Sequence, residues 1–110
     1  MHMRTKKWAK PELEVCPYFT NEPETKRGHW REQFKKDQPL YLELGCGKGV
    51  STAAMVRDNL DINYVAMDIT CNVLGDTRRN MEAAFAGEPV ENVIIARYDS
   101  SYIEKVFAPE

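Results

Sequence analysis

The feature that most constrains the fold is a regular alternation of short apolar runs and helix-spaced apolar residues after Pro39. The three runs, at 40–44, 63–67 and 93–96, have the length and composition of buried strands. Each is followed by a helical pattern; these are Val50, Ala53, Val56 and Leu60, then Leu74, Met81 and Phe85, then a short amphipathic piece at 101–107. This order predicts an α/β fold with about three parallel strands and right-handed crossovers.

The composition is that of one small folded domain. The chain has 110 residues, of which 43% are hydrophobic and 29% are charged, with a net charge of −2, and these values argue against a disordered chain. No apolar run approaches the roughly 18 residues that span a bilayer. Three cysteines (Cys16, Cys46 and Cys71) without C-x-x-C spacing favour reduced thiols over disulfides or zinc. We therefore expect a cytoplasmic protein with no membrane or metal partner.

Residues 1–38 are predicted to form an irregular, mildly basic N-terminal arm on a domain at 39–110. Four of the six prolines lie at 1–39, which disfavours regular structure beyond one short helix near 26–34. The arm carries nine Lys or Arg against six Asp or Glu, whereas the remainder carries six against eleven. Five aromatic residues are candidates to anchor the arm; they are Trp8, Tyr18, Phe19, Trp30 and Phe34. A solvated terminus explains the charge equally well.

A glycine cluster follows the first predicted strand. Gly45, Gly47 and Gly49 allow a sharp turn or the close approach of a ligand to the backbone, although ligand-free turns use glycine too. The spacing does not fit a dinucleotide fingerprint, which needs glycine at position 50, nor a phosphate-binding loop, which needs Ser or Thr at 49. Glu43, two residues before the cluster, would repel a phosphate and attract a cation. The pattern therefore favours a positively charged nucleoside.

Two more carboxylates follow the next two strands. Asp68 is placed to accept both hydroxyls of a ribose, and Asp99 to accept from the exocyclic amine of adenine. Either residue alone is explained as a helix N-cap or a turn aspartate. Because ligands of parallel sheets bind beyond the carboxyl ends of the strands, three carboxylates at three successive strand ends favour a nucleoside site.

These residues carry a family resemblance. LELGCGKG at 42–49, AMD at 66–68 and RYD at 97–99 resemble a class I S-adenosylmethionine-dependent methyltransferase. The stretch MRTKKWAKPELE at 3–14, with Trp30 and PLYLELGCGKG at 39–49, is similar to the bacterial tRNA (guanine-N7-)-methyltransferase family. The glycine motif is generic to class I enzymes, whereas the N-terminal stretch is more specific.

The resemblance implies a Rossmann-like sheet, S-adenosyl-L-methionine as cofactor and tRNA as partner. It implies that eight residues contact the cofactor; these are Glu43, Gly45, Gly47, Gly49, Asp68, Ile69, Asp99 and Ser100. Asp68 stands where many relatives carry glutamate. The cations of the arm are expected to contact tRNA phosphates; these are Arg4, Lys6, Lys7 and Lys10.

Length is the departure from the family pattern. Members run to roughly twice this size and carry a Pro-Asp-Pro-Trp motif after the fourth strand, whereas this sequence stops at Glu110. The resemblance places the first strand of the domain at the centre of a seven-stranded sheet, so its outer edge would be unpaired here. We expect the chain to be the cofactor-binding half of a longer enzyme, inactive alone and without catalytic residues of its own, or to complete its sheet as a homodimer.

Three other functions remain open. A class I methyltransferase acting on a small molecule or a protein would share this half. A non-catalytic nucleotide-binding domain would bind without turnover. A nicotinamide oxidoreductase is opposed by the glycine spacing and by Glu43.

Overall fold

The structure is a computed structural model that describes residues 6–45 and 49–108. A four-stranded parallel sheet has the order β1-β4-β3-β2. The strands are β1 (Phe19–Thr20), β2 (Leu40–Leu44), β3 (Asn63–Asp68) and β4 (Val93–Arg97). The helices are α1 (Ala9–Glu14), α2 (Val50–Asp58) and α3 (Cys71–Phe85), with 3₁₀ segments at Pro23–Lys26, Arg31–Gln33 and Ser100–Lys105. The predicted α/β class is confirmed, with one strand more than expected.

The position of each strand in the sheet decides its burial. Tyr64, Val65, Ala66 and Met67 of β3 are each at most 2% exposed, because β3 is hydrogen-bonded on both sides and covered on both faces. β2 lies at the sheet edge, so the expectation of a buried strand at 40–44 is wrong. Tyr41 is 51% exposed and Leu44 is 48% exposed. The expected unpaired edge of this strand is present among the described residues.

The two long helices lie where the spacing predicts them, although one of the predicted faces is shorter than expected. In α3, Leu74, Met81 and Phe85 are buried as expected. In α2, Ala53 and Val56 are buried, but Val50 and Leu60 are exposed. Val50 is the first residue of the helix, and the cap at Asn59 ends it before Leu60, so neither residue faces the sheet.

The N-terminal arm is more regular than its prolines suggest. Residues 9–14 form α1, and residues 19–20 form β1, which pairs in parallel with β4. Pro11 is tolerated because it lies in the first helical turn, where a backbone N–H has no partner within the helix. The helix expected near 26–34 is instead divided between two 3₁₀ segments.

Aromatic residues fix the arm to both faces of the sheet. Tyr18 packs with α2 and α3 on one face, whereas Trp30 and Phe34 pack with Val65 on the other. Trp30 also donates from Nε1 to the carbonyl of Val106 at 2.8 Å, and its ring stacks on that of Phe107 with 5.1 Å between ring centroids. The predicted anchoring by aromatic residues is therefore present at Tyr18, Trp30 and Phe34.

Two close contacts bind α1 to α3. A Cβ built at Gly75 would lie 2.8 Å from Cβ of Ala9, so the helices α1 and α3 can approach this closely only with glycine at that position. Glu12 of α1 accepts from Arg78 at 2.6 Å and from Arg79 at 2.5 Å. These guanidinium groups, chiefly Arg79, lower the pKa of Glu12 to about 2.

Candidate functional site

A small pocket opens at the carboxyl edge of the sheet. The backbone N–H of Gly45 donates to the carbonyl of Met67 at 2.9 Å, and that of Tyr98 donates to the carbonyl of Asp68 at 3.0 Å. These bonds hold the loops that follow β2 and β4 against the end of β3. The pocket between them has a volume of about 130 Å³ and is lined by Gly45, Met67, Asp68, Ile69, Tyr98 and Asp99.

The two aspartates of this pocket are held by neighbouring backbone groups. Oδ1 of Asp68 accepts from the N–H of Thr70 at 3.0 Å. Oδ1 of Asp99 accepts from the N–H of Ser101 at 2.9 Å and caps the 3₁₀ segment at Ser100–Lys105. The turn and cap roles considered for these residues are therefore real. They also fix the orientation of each carboxylate, because one oxygen is tied to the adjacent backbone.

Glu43 lies at the same edge but does not line this pocket. It pairs in register with Ala66 of β3, and its Oε1 accepts from the hydroxyl of Thr52 at 2.5 Å. Thr52 is buried in α2. The carboxylate of Glu43 is thus attached to the helix that begins at the glycine cluster, beside the pocket rather than in it.

The glycines of the cluster differ in their surroundings. Gly45 and Gly49 both have φ of +78°, a backbone conformation that glycine adopts without strain. No heavy atom lies within 4 Å of a Cβ built at Gly45, whereas Gly49 packs directly against Thr77 of α3. The positive φ and the packing against Thr77 therefore explain glycine at position 49 without a bound ligand. Gly47 lies outside the described residues.

The remaining pocket residues supply an apolar rim. Ile69 is 54% exposed at the mouth of the pocket. Met67 and Tyr98 line the pocket but were not predicted as site residues, although both lie inside the sequence motifs AMD and RYD. Burial, assisted by the carboxylate of Glu24, raises the pKa of Tyr98. The side chain of Ser100 lies outside the described part of the chain.

Among the described residues, the predicted RNA-binding cations have different surroundings. Lys6 forms an ion pair with Asp76, and its backbone N–H donates to Asn72 at 2.9 Å, so this residue serves to hold the arm on α3. Arg79 covers the ring of Trp8 at 3.4 Å from its centroid. Lys7 and Lys10 are exposed. Arg4 lies outside the described residues.

Within residues 6–45 and 49–108, no helix is long and apolar enough to cross a bilayer. In the same part of the chain, no group of three or more His, Cys, Asp or Glu side chains is arranged to hold a metal ion.

The parallel sheet and the acidic pocket at its carboxyl edge place the chain in the Rossmann-like α/β class. Residues 37–110 match the model of a family described as "Putative methyltransferase", and the chain belongs to this methyltransferase family. Membership implies a methyl donor, which agrees with the predicted reaction type.

Curated relatives carry a more specific name. A tRNA (guanine-N(7)-)-methyltransferase of Clostridium beijerinckii is 43% identical over 112 residues, which cover 100% of this chain and 51% of the relative. Proteins of the same name from Clostridium botulinum (strain Eklund 17B) and Ruminiclostridium cellulolyticum are 52% identical over 85 residues and 38% identical over 106. Those matches cover 77% and 96% of this chain, and 39% and 45% of the relatives. The chain thus spans about half the length of these relatives.

Proposed function

We propose that this chain is the part of a tRNA (guanine-N7-)-methyltransferase that binds S-adenosylmethionine. The observation that carries the proposal is the pocket in which Gly45, Asp68 and Asp99 meet at the ends of three parallel strands. The names of the relatives support guanine N7 of tRNA as the methyl acceptor. The family match supports the reaction type.

The carboxylate acceptors at this edge suit a nucleoside with a cationic tail. Asp68 would accept from the ribose hydroxyls and Asp99 from the adenine amine, while the exposed Ile69 would cover the adenine face and Ser100 would lie beside it. Ligand pockets usually have about 300–1,000 Å³, so a pocket of about 130 Å³ accommodates only part of the ligand. The methionine end would then lie toward Glu43 and toward Gly45, Gly47 and Gly49, where the carboxylate of Glu43 favours its positive charge.

When bound, S-adenosylmethionine supplies a methyl group on a positively charged sulfur. Guanine N7 has a lone pair and no proton, so this transfer needs no general base. The task of this chain is to bind and orient the donor. Asp68 and Asp99, each tied by one oxygen to the backbone, are rigid enough to fix the nucleoside relative to the sheet edge. The acceptor side of the reaction requires residues other than these.

Calorimetric titration of the chain with S-adenosylhomocysteine, with NAD as the comparison ligand, tests the proposal. Saturable binding of S-adenosylhomocysteine alone is the expected result. Binding of NAD alone would instead support a nicotinamide enzyme. Failure of a folded sample to bind S-adenosylhomocysteine would contradict the assignment of the donor site to these residues. Incubation with labelled S-adenosylmethionine and a tRNA transcript, followed by nucleoside analysis for 7-methylguanosine, then separates donor binding from turnover.

A further inference from the structure

A second pocket, with positive charge, lies on the same edge of the sheet. It has a volume of about 170 Å³ and is lined by Lys10, Leu13, Glu14, Phe19, Asn21, Cys71 and Arg97. Arg97 ends β4 and pairs in register with Asp68, whose side chain lines the acidic pocket described above. Cys71 begins α3, three residues after Asp68. The two pockets are therefore neighbours.

The charges of this second pocket are not neutralised by ion pairs within the described chain. Lys10 and Arg97 are both exposed, and among residues 6–45 and 49–108 neither forms an ion pair. Lys6 differs in this respect, because its ammonium group forms an ion pair with Asp76. Among the described lining residues, Glu14 is the one carboxylate, against two cations. Asn21 adds an amide that can donate to an anion.

The donors of this pocket come from separate parts of the chain that the fold holds together. Lys10 lies on α1, which is fixed to α3 through Glu12 and its two arginines. Asn21 follows β1, which pairs with β4, and Arg97 ends β4. The cations are thus carried by packed elements and need little ordering when an anion binds. The first turn of α3, at Cys71, adds the positive end of a helix dipole.

We propose that the pocket of Lys10, Asn21 and Arg97 binds one backbone phosphate of the RNA substrate, next to the methyl-donor pocket. The inference rests on the proposed function for the identity of the RNA. The chemistry recognised is a phosphate oxygen anion, which a free phosphate also presents. A phosphodiester is favoured because the pocket is open to solvent beside the acidic pocket, so a long polyanion can extend past it.

The test is a fluorescence-anisotropy titration of an unmodified tRNA transcript with the chain, at several salt concentrations between about 50 and 200 mM. Lys10→Gln/Arg97→Gln is the test variant. Lys36→Gln is a single-charge control and Lys36→Gln/Lys105→Gln is the matched double control, because both cations are exposed and neither forms an ion pair among the described residues. Lys36 lies at the opposite edge, where its carbonyl accepts from Asn63 at the start of β3. Thermal unfolding of each variant monitors the fold.

The test variant should make the negative slope of log K against log salt shallower by about 1, which corresponds to the loss of one phosphate contact. If the two proteins bind RNA equally at 1 M salt, this difference in slope makes the affinity of the test variant about fivefold lower than that of the unmodified chain at 0.15 M salt. Lys10→Glu reverses the charge at one exposed position. It should lose at least as much affinity for the transcript as the test variant does. Equal losses in the double control would show that binding follows overall charge, and would overturn the proposal.

Two further measurements separate this inference from the proposed function. Inorganic phosphate, compared with chloride at equal ionic strength, should not displace the transcript; selective displacement would assign the pocket to a free anion instead. S-adenosylhomocysteine should bind the test variant as it binds the unmodified chain, since neither substituted residue lines the acidic pocket. In the unmodified chain, donor binding without RNA binding would refute the phosphate pocket alone. RNA binding without donor binding would refute the proposed donor site alone.

Discussion

Gly49 and Thr77 are packed so closely that no side chain fits between them. A Cβ built at Gly49 would lie 2.5 Å from Oγ1 and 2.7 Å from Cβ of Thr77, and Thr77 is fully buried. Thr77 cannot easily move aside, because its hydroxyl donates to the carbonyl of Val73 at 2.8 Å. This contact sets how closely the start of α2 approaches α3.

We expect Gly49→Ala to lower the free energy of unfolding by about 2–4 kcal/mol, because it combines overpacking with a strained positive φ. Gly87→Ala is the matched control: its φ is +91°, but no atom lies within 4 Å of the added Cβ. The control should lose only about 1–2 kcal/mol from backbone strain. Urea unfolding of both variants measures the difference, and equal losses would show that the Thr77 contact is unimportant.

Ala86→Gly should stabilise the protein. Ala86 ends α3 with φ of +49°, the left-handed conformation that favours glycine at this position. Relief of that strain exceeds the added freedom of the unfolded chain, so a gain of about 0.5–1 kcal/mol is expected. Thermal unfolding is the measurement. A lower melting temperature than the unmodified chain would count against this account of the cap.

Trp30→Phe isolates one buried hydrogen bond. The substitution keeps an aromatic ring beside Phe107 but leaves the carbonyl of Val106 without its indole donor. A loss of about 1–3 kcal/mol is expected from the unsatisfied carbonyl. Trp30→Ala should cost more, about 3–5 kcal/mol, because it also removes the packing. Denaturant unfolding compares the two, and no loss in the phenylalanine variant would mean that the bond contributes nothing.

The ion cluster between α1 and α3 should make stability depend on pH under acidic conditions. The pKa of Glu12 is lowered from 4.5 to about 2 in the folded chain. The unfolded chain therefore binds a proton at Glu12 at a higher pH than the folded chain does. The stabilisation is complete above the unfolded pKa and is lost as the pH falls through the window from 4.5 toward 2.

Unfolding measurements across this window should show a smaller decline for Glu12→Gln than for the unmodified chain. Glu14→Gln changes the same charge on the exposed side of the helix and serves as the control. A decline in Glu12→Gln as steep as that of the unmodified chain would argue against the Arg78 and Arg79 pairing.

The acidic pocket makes a prediction for ligand affinity. Asp68→Ala should weaken S-adenosylhomocysteine binding by about 1–3 kcal/mol, roughly fivefold to 150-fold, because the ribose hydroxyls lose their acceptor. Asp68→Asn keeps an oxygen for the N–H of Thr70 and separates local folding from binding. Asp61→Ala, at an exposed site before β3, is the charge control. Unchanged affinity in both Asp68 variants would remove this residue from the site.

Local sequence patterns predicted the central elements well. The runs at 63–67 and 93–96 and the spacing of Leu74, Met81 and Phe85 correspond to β3, β4 and α3, because the period of apolar residues follows directly from strand and helix geometry. The ends of those strands also position Asp68 and Asp99, so their proximity follows from the parallel arrangement. Their roles in binding remain predictions.

The tertiary structure decided what depends on distant partners. Strand order, not the sequence of residues 40–44, leaves Tyr41 and Leu44 exposed at the sheet edge. Lys6 is neutralised by Asp76, 70 residues away, so its charge is not available as the sequence suggested. Arg97 joins Lys10 in one pocket only because β1 and α1 pack where they do. Periodicity is local and can be read along the chain, whereas burial and charge pairing are set by contacts between remote segments.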